Sequence, residues 1–123
     1  MPVQDRENEV YCPVRTTLNL LQQKWTLHIV DQLLSGKKRF NELAHALGGV
    51  NSRTLSGRLK ALEREGLLRR QILSSIPPWV EYELTDKGRS LQPVIRGLST
   101  WGKTWMPKPS SERGKRTRFQ AVR

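Results

Sequence analysis

At 123 residues the chain is sized for one domain with room for polar ends, and 36% apolar residues are enough for a small core. Lys and Arg number 22 against 11 Asp and Glu; the net charge of +11 points to a polyanionic partner, of which nucleic acid is the commonest. A single cysteine excludes an internal disulfide, no stretch approaches the ~18 consecutive apolar residues of a membrane span, and no signal-peptide core is visible, so a soluble intracellular protein is expected.

Residues 1–10 are polar, carry a net charge of −2 and read as a flexible N-terminus. Cys12-Pro13 then opens a helix with Val14, Thr17, Leu18 and Leu21 along it; Pro13 fits the first helical position and places Cys12 at the N-cap. Gln22-Gln23-Lys24 interrupts the pattern. From Trp25 to Leu34 apolar residues surround most of a second helix, which predicts a central, buried position. Lys37-Lys38-Arg39 reads as a basic connector, and Phe40, Leu43, Ala44 and Leu47 form the apolar face of a short third helix. Gly48-Gly49-Val50 turns the chain into a fourth helix capped by Asn51. Leu55, Leu59 and Leu62 share one face of it; Arg53, Ser56, Gly57, Lys60 and Arg64 share the other, with Glu63 only at the edge. Two short helices joined by a glycine turn, the second with a basic outer face, form the helix-turn-helix pattern.

After Gly66 the period becomes strand-like. Leu67–Leu73 reads as one strand, with Leu68, Arg70 and Ile72 on one face. Ser74–Pro78 reads as a turn, and Trp79–Leu84 as a second strand alternating Val80, Tyr82 and Leu84 with Glu81 and Glu83. A hairpin directly after a recognition helix is a wing, so the fold class is α+β, mainly α: a winged helix-turn-helix over residues 11–106. Thr85-Asp86 caps a last helix that Pro93 should bend. Its seam of Leu91, Val94, Leu98, Trp101 and Trp105 repeats at spacings of 3 and 4. That seam fits either a helix from a second copy or packing back on its own domain. Residues 107–123 lack periodicity and read as a basic disordered tail. Residues 11–107 carry +8 by themselves, so the tail is not the whole source of charge.

Arg53 lies in the first turn of the fourth helix, where a guanidinium can read guanine or simply hold a phosphate. Ser52, Thr54 and Ser56 suit a base or, more generally, phosphate. Lys60 and Arg64, further along, suit phosphate. Lys38 and Arg39 suit the flanking backbone or belong to a solvated loop. Asn51, Gly57 and Arg58 complete the expected DNA-contacting set. Gly57 weakens a helix by roughly 1 kcal/mol relative to Ala, so it invites a reason, such as close approach to another surface. His28 and His45 lack paired ligand spacing, so no metal is expected, and no catalytic set is visible, so no enzyme is expected.

Several segments, in order, resemble the HxlR-type winged-helix transcription regulators, a group close to the MarR-like fold. They are Cys12-Pro-Val14, Lys24-Trp-Thr26, Gly36–Leu43, Arg53-Thr-Leu55, Leu59 with Leu62-Glu63, Gly66-Leu67, Pro78 with Val80-Glu-Tyr82, Leu84-Thr85 with Lys87-Gly88, and Trp101–Trp105. The resemblance covers residues 11–106. It implies a homodimer joined through N- and C-terminal dimerisation helices, for which Leu18, Leu21, Leu98, Trp101 and Trp105 are the residues in place. It also implies a near-palindromic double-stranded DNA operator, a repressor role in a bacterial or archaeal cytoplasm, and a thiol or electrophile sensor at the position of Cys12. The resemblance breaks at Trp79, where family members often carry Arg or Lys. The wing tip Ser74–Trp79 is thus uncharged, and the tail Lys108–Arg123 is the other source of such charge.

Two functions follow. One is a sequence-specific regulator switched by a small-molecule effector or by thiol chemistry, with Cys12 either a reactive switch, favoured by its N-cap position at the positive end of a helix dipole, or a buried inert thiol. The other is a non-specific basic nucleic-acid binder that happens to use a winged helix.

Overall fold

Proline at the first position of a helix gives up an N–H that would have had no partner, and helix α1 (Pro13–Leu21) starts on that basis. Cys12 is its N-cap, in extended backbone, with Sγ accepting the Arg15 N–H at 3.5 Å. The structure is a computed structural model that describes residues 10–106 and 108. The expectations for the N-terminus before residue 10 and for the tail from 107, Lys108 apart, lie outside the described residues.

Helix α2 (Thr26–Leu34) buries Thr26, Ile29, Val30 and Leu33, the central position its all-round apolar pattern predicts. It starts one residue later than expected because Trp25 is left-handed, at φ 80°. That conformation costs an L-residue about 1–3 kcal/mol. The turn is held from outside: the Lys24 carbonyl accepts a hydrogen bond from Arg58 Nε at 2.7 Å. The Lys24 ammonium lies 5.3 Å from the Trp25 ring, which meets His28 edge-on.

The basic connector is in fact a strand. β1 (Lys38–Arg39) pairs antiparallel with β3 (Pro78–Leu84), Lys38 opposite Tyr82 and Arg39 opposite Glu81. Helix α3 (Phe40–Leu47) follows at once, and the Glu42 carboxylate accepts the Arg39 N–H at 2.8 Å. Gly48 closes α3 in the left-handed conformation, φ 62°, which glycine adopts without a Cβ clash. Helix α4 (Ser52–Arg64) is capped by Asn51, whose Oδ1 accepts the Thr54 N–H at 2.8 Å. Leu55, Leu59 and Leu62 are fully buried.

Strand β2 (Leu68–Ser75) and β3 form the wing, and the sheet order is β1-β3-β2. The hairpin is longer than expected: Ser74 pairs with Trp79 and Ser75 with Pro78, past an irregularity between Ile72 and Ser74. Only Ile76 and Pro77 remain as the turn, joined by a cis bond. Thr85 ties the end of β3 to the end of α4. Its N–H donates to the Leu67 carbonyl at 3.0 Å, and its Oγ1 donates to the Gly66 carbonyl at 2.6 Å while accepting the Gly88 N–H. The last helix is two: α5 (Asp86–Arg89) and α6 (Gln92–Trp105). Pro93 stands in the first turn of α6 and starts it, where a bend was expected.

The chain divides into two units between Arg89 and Ser90. In the first, Leu21, Ile29, Val30, Leu33, Leu43, Leu55, Leu59, Leu62, Leu67, Leu68 and Leu84 make the core. Leu21 was expected at a dimer contact; at 8% exposed it is a core residue, while Leu18, one turn back, stays exposed. In the second unit α6 buries no residue, and Leu98, Trp101 and Trp105 are 53%, 59% and 66% exposed.

Gly88 is buried, and a Cβ there would run into the Leu67 carbonyl and crowd the Leu84 side chain. Backbone cannot yield as a side-chain tip can. Gly88→Ala should therefore destabilise the fold by about 1–3 kcal/mol, read as a lower thermal midpoint. An unchanged midpoint would mean that the Thr85 corner is softer than its hydrogen bonds imply.

Candidate nucleic-acid interface

Because its leucines are buried, α4 can present only one face outward. Arg53, Gly57, Lys60 and Arg64 are exposed, and Gly57, Lys60 and Arg64 lie within about 40° of Arg53 around the helix. Ser52 is exposed at its start; Thr54 and Ser56 are half-buried. Among the described residues, no ion pair engages Arg53, Lys60 or Arg64. A Cβ added at Gly57 would meet nothing within 4 Å, so nothing inside the described fold requires a glycine there.

Two residues of the expected set are otherwise engaged. Arg58 lies about 140° from Arg53 around α4, beside the leucines, and its Nε is bonded to the Lys24 carbonyl. Its place in the fold is a brace between α4 and the α1–α2 turn. The Asn51 Oδ1 is taken up by the helix cap, accepting the Thr54 N–H.

The wing distributes its charge unexpectedly. The Arg39 guanidinium stacks over the Trp79 ring at 4.3 Å, and the Trp79 indole N–H donates to Glu81 at 3.2 Å. Lys37 pairs with Glu81 at 3.7 Å, and Arg69 with Glu83 at 3.4 Å. Arg39, Phe40, Asn41, Pro78, Trp79 and Val80 line a shallow groove of about 240 Å³. Trp79, which breaks the family pattern in the sequence, is therefore the platform on which Arg39 rests.

A smaller cleft, of about 140 Å³, lies between α4 and the hairpin; Ser56, Leu59, Lys60, Glu63, Arg70 and Tyr82 line it. Sequence reasoning missed Arg70 and Tyr82. The available signal was Arg70 itself, a charge on the strand face that carries Leu68 and Ile72. Burial pushes the Tyr82 phenol above its ordinary value of 10.0; the Arg70 charge opposes that shift and Glu63 reinforces it. Tyr82 is therefore a neutral hydrogen-bond donor near pH 7.

Among the described residues, no group of three or more His, Cys, Asp and Glu could hold a metal ion, and no helix is long and apolar enough to cross a membrane. Cys12 is half-buried.

A family model described as HxlR-like helix-turn-helix matches residues 20–110. The HTH-type transcriptional regulator YdeP of Bacillus subtilis is 42% identical over 94 residues, which is 76% of this chain and 73% of YdeP. Among solved structures, the reduced form of the transcriptional regulator YodB from B. subtilis aligns at a TM-score of 0.69 with 32% identity, over 80% of this chain and 97% of YodB. The redox regulator HypR in its oxidised form aligns at 0.70 with 36% identity, over 76% and 96%. These relatives are regulators rather than enzymes, and they share the winged architecture. With a family match over most of its length and a sheet and helix order to suit, the chain belongs to the HxlR-like helix-turn-helix family of transcriptional regulators.

Proposed function

We propose that this regulator is a cytoplasmic homodimer that represses from a near-palindromic DNA operator and is switched through Cys12. The observation that carries the reading is the outer face of α4: three exposed cations around a glycine that the fold itself does not need. A helix of this kind enters a major groove with its first turn near the bases, so Arg53 is the reader and Lys60 and Arg64 hold phosphates. Selection of binding sites from random DNA at a fixed salt concentration tests it. A recovered palindrome supports the reading; absence of enrichment returns the chain to the class of non-specific nucleic-acid binders.

The dimer is supported by what α6 leaves uncovered. Leu98, Trp101 and Trp105 recur at heptad spacing, and an exposed apolar seam of this kind calls for a partner helix. In the first unit, Val14 and Leu18 of α1 are exposed as well. With half-sites one helical turn or a multiple apart, ~34–36 Å per turn, two α4 helices would enter major grooves on the same face of the duplex.

The switch is supported by the position of Cys12 and by relatives whose structures include a quinone-bound YodB and HypR in its oxidised form. The Cys12 sulfur faces the start of α1, accepting the Arg15 N–H. Addition of the Cys12 thiolate to a quinone ring carbon, with uptake of one proton and transfer of the ring hydrogen to oxygen, gives a single adduct, a hydroquinone joined to the sulfur through a thioether. A diazene oxidant such as diamide takes two hydrogens from two thiols and leaves an intersubunit disulfide. Either product alters the α1 terminus, and a shift of a few kcal/mol between two dimer arrangements is enough to change operator occupancy.

Four outcomes are expected. Arg53→Ala should relax the preference at one base pair in each half-site, costing about 1–3 kcal/mol per contact, whereas Lys60→Ala should weaken all sequences alike. Equal losses on operator and random duplex for Arg53→Ala would make Arg53 a phosphate ligand. Gly57→Ala should raise helix stability by roughly 1 kcal/mol and yet weaken DNA binding, because a methyl group would stand in the contact. A variant both more stable and equally tight would show that nothing approaches Gly57. Sedimentation at micromolar concentration should give a dimer for the wild type and a monomer for Trp101→Ala/Trp105→Ala; a monomeric wild type removes the dimer. Diamide or a quinone should change operator binding by the wild type but not by Cys12→Ser, and an equal response of the two would clear Cys12 of the role.

A further inference from the structure

Base reading by Arg53 leaves the cleft between α4 and the hairpin unexplained. Its sides come from three elements: Ser56, Lys60 and Glu63 from α4, Arg70 from β2 and Tyr82 from β3. Arg70 stands opposite Tyr82 in the hairpin register, and Tyr82 stands opposite Lys38 across β1. Directly opposed residues share a sheet face, so the row Lys38, Tyr82, Arg70 flanks one phenol with two cations. Lys60, only about 20° around α4 from Arg53, brings a further cation from the DNA-facing side. The cleft therefore gathers Lys60 and Arg70 against a single carboxylate, Glu63. Among the described residues, no ion pair joins Glu63 to either of them.

We propose that this cleft seats one backbone phosphate of the bound DNA, with Arg70 and Lys60 as its cations and the Tyr82 and Ser56 hydroxyls as its donors. The inference rests on the DNA-binding reading above and adds a wing contact that comes from the strands. The wing tip, Ser74–Trp79, has no charge to offer. The outer-face cations of the hairpin and β1 are engaged elsewhere, Arg69 by Glu83 and Arg39 by the Trp79 ring. Arg70 is the hairpin cation on the side of α4. Two cations and one carboxylate leave one positive charge, which a phosphodiester balances. The Tyr82 phenol, protonated near neutral pH at its ordinary value of 10.0 and pushed further up by burial, is a donor to an anionic oxygen. Phosphate contacts position a protein on the duplex and carry no sequence information of their own. The cleft thus sets the register in which α4 presents Arg53 to the bases.

The test is equilibrium binding of the full chain to its selected duplex across a salt series, with folding of each variant checked by thermal denaturation. Arg70→Gln should lower the slope of log K against log salt by about 0.9 per subunit while the ranking of sequences stays the same. Arg70→Lys should restore the slope. Glu63→Gln should tighten binding to every sequence, since it removes the one charge that repels a phosphate; a structural Glu63–Arg70 brace would give weaker binding instead. An unchanged slope in Arg70→Gln, or weakened binding in Glu63→Gln, overturns the proposal. So does a changed ranking in Arg70→Gln, which would put Arg70 on a base edge. A separate titration of the DNA-free protein with inorganic phosphate against chloride at equal ionic strength covers the other source of the same chemistry. Saturable phosphate binding together with an unchanged Arg70→Gln slope assigns the cleft to a free anion and overturns the DNA contact. If the wild type shows no preferred sequence, the regulator reading fails by itself; the slopes are then read on random duplex, where a phosphate seat acts equally.

Discussion

Burial of Leu55, Leu59 and Leu62 is the constraint on which the rest depends. The three occupy one side of a 13-residue helix and sink it into the core, so α4 has no freedom to rotate about its axis. A turn of one residue, about 100°, would expose leucine and drive Arg58 or Arg53 toward the interior. At roughly 2–5 kcal/mol for each leucine lost from a core, no surface interaction competes with that register. The outward direction of Arg53, Gly57, Lys60 and Arg64 is therefore a consequence of apolar packing.

Rotation is one degree of freedom; the two ends of α4 are held by polar contacts. Asn51 caps the start, and Arg58 reaches sideways to the carbonyl of Lys24. That second bond crosses to a turn containing a left-handed Trp25, so a strained connection and the recognition helix support each other. At the far end, Thr85 binds the carbonyls of Gly66 and Leu67, and Gly88 packs close enough to exclude a methyl group. Strand β1 completes the frame. By pairing with β3 directly before α3, it joins the helix-turn-helix and the wing through one sheet. The hairpin and α4 consequently belong to one frame.

Most of this frame was legible in the sequence, and the exceptions share a cause. Period-3.6 and period-2 patterns report burial on one face, and they located α1, α2, α3, α4 and the hairpin strands. Pro13 and Asn51 marked helix starts because their chemistry is local. What stayed hidden was decided by distant partners. Lys38-Arg39 has no strand pattern, being two residues long, and becomes a strand only because β3 lies beside it. Arg58 reads as one more cation until the Lys24 carbonyl, 34 residues away, is seen to take its Nε. Leu21 shares a helix with exposed Leu18, and a nine-residue pattern cannot tell which apolar residue faces its own core and which faces outward. Trp79 was visible as a departure, but not as the platform for Arg39.

The placement of charge also bears on the two functional classes. A non-specific polyanion binder gains from cations spread over its surface, since each released counterion adds affinity wherever the contact falls. Here the outer side of the sheet pairs or stacks its cations, as Lys37 with Glu81, Arg69 with Glu83 and Arg39 with Trp79. Pairs whose cation stays in solvent add little to stability, but each removes a site where a phosphate would otherwise be drawn. The cations without an ion-pair partner among the described residues include Arg53, Lys60 and Arg64, in one line along α4, with Arg70 beside them across the cleft. Four cations set together on one ordered surface favour a single docking geometry over many. A single geometry is the physical precondition for reading a sequence, because base contacts discriminate only when the phosphates have already fixed where the helix lies.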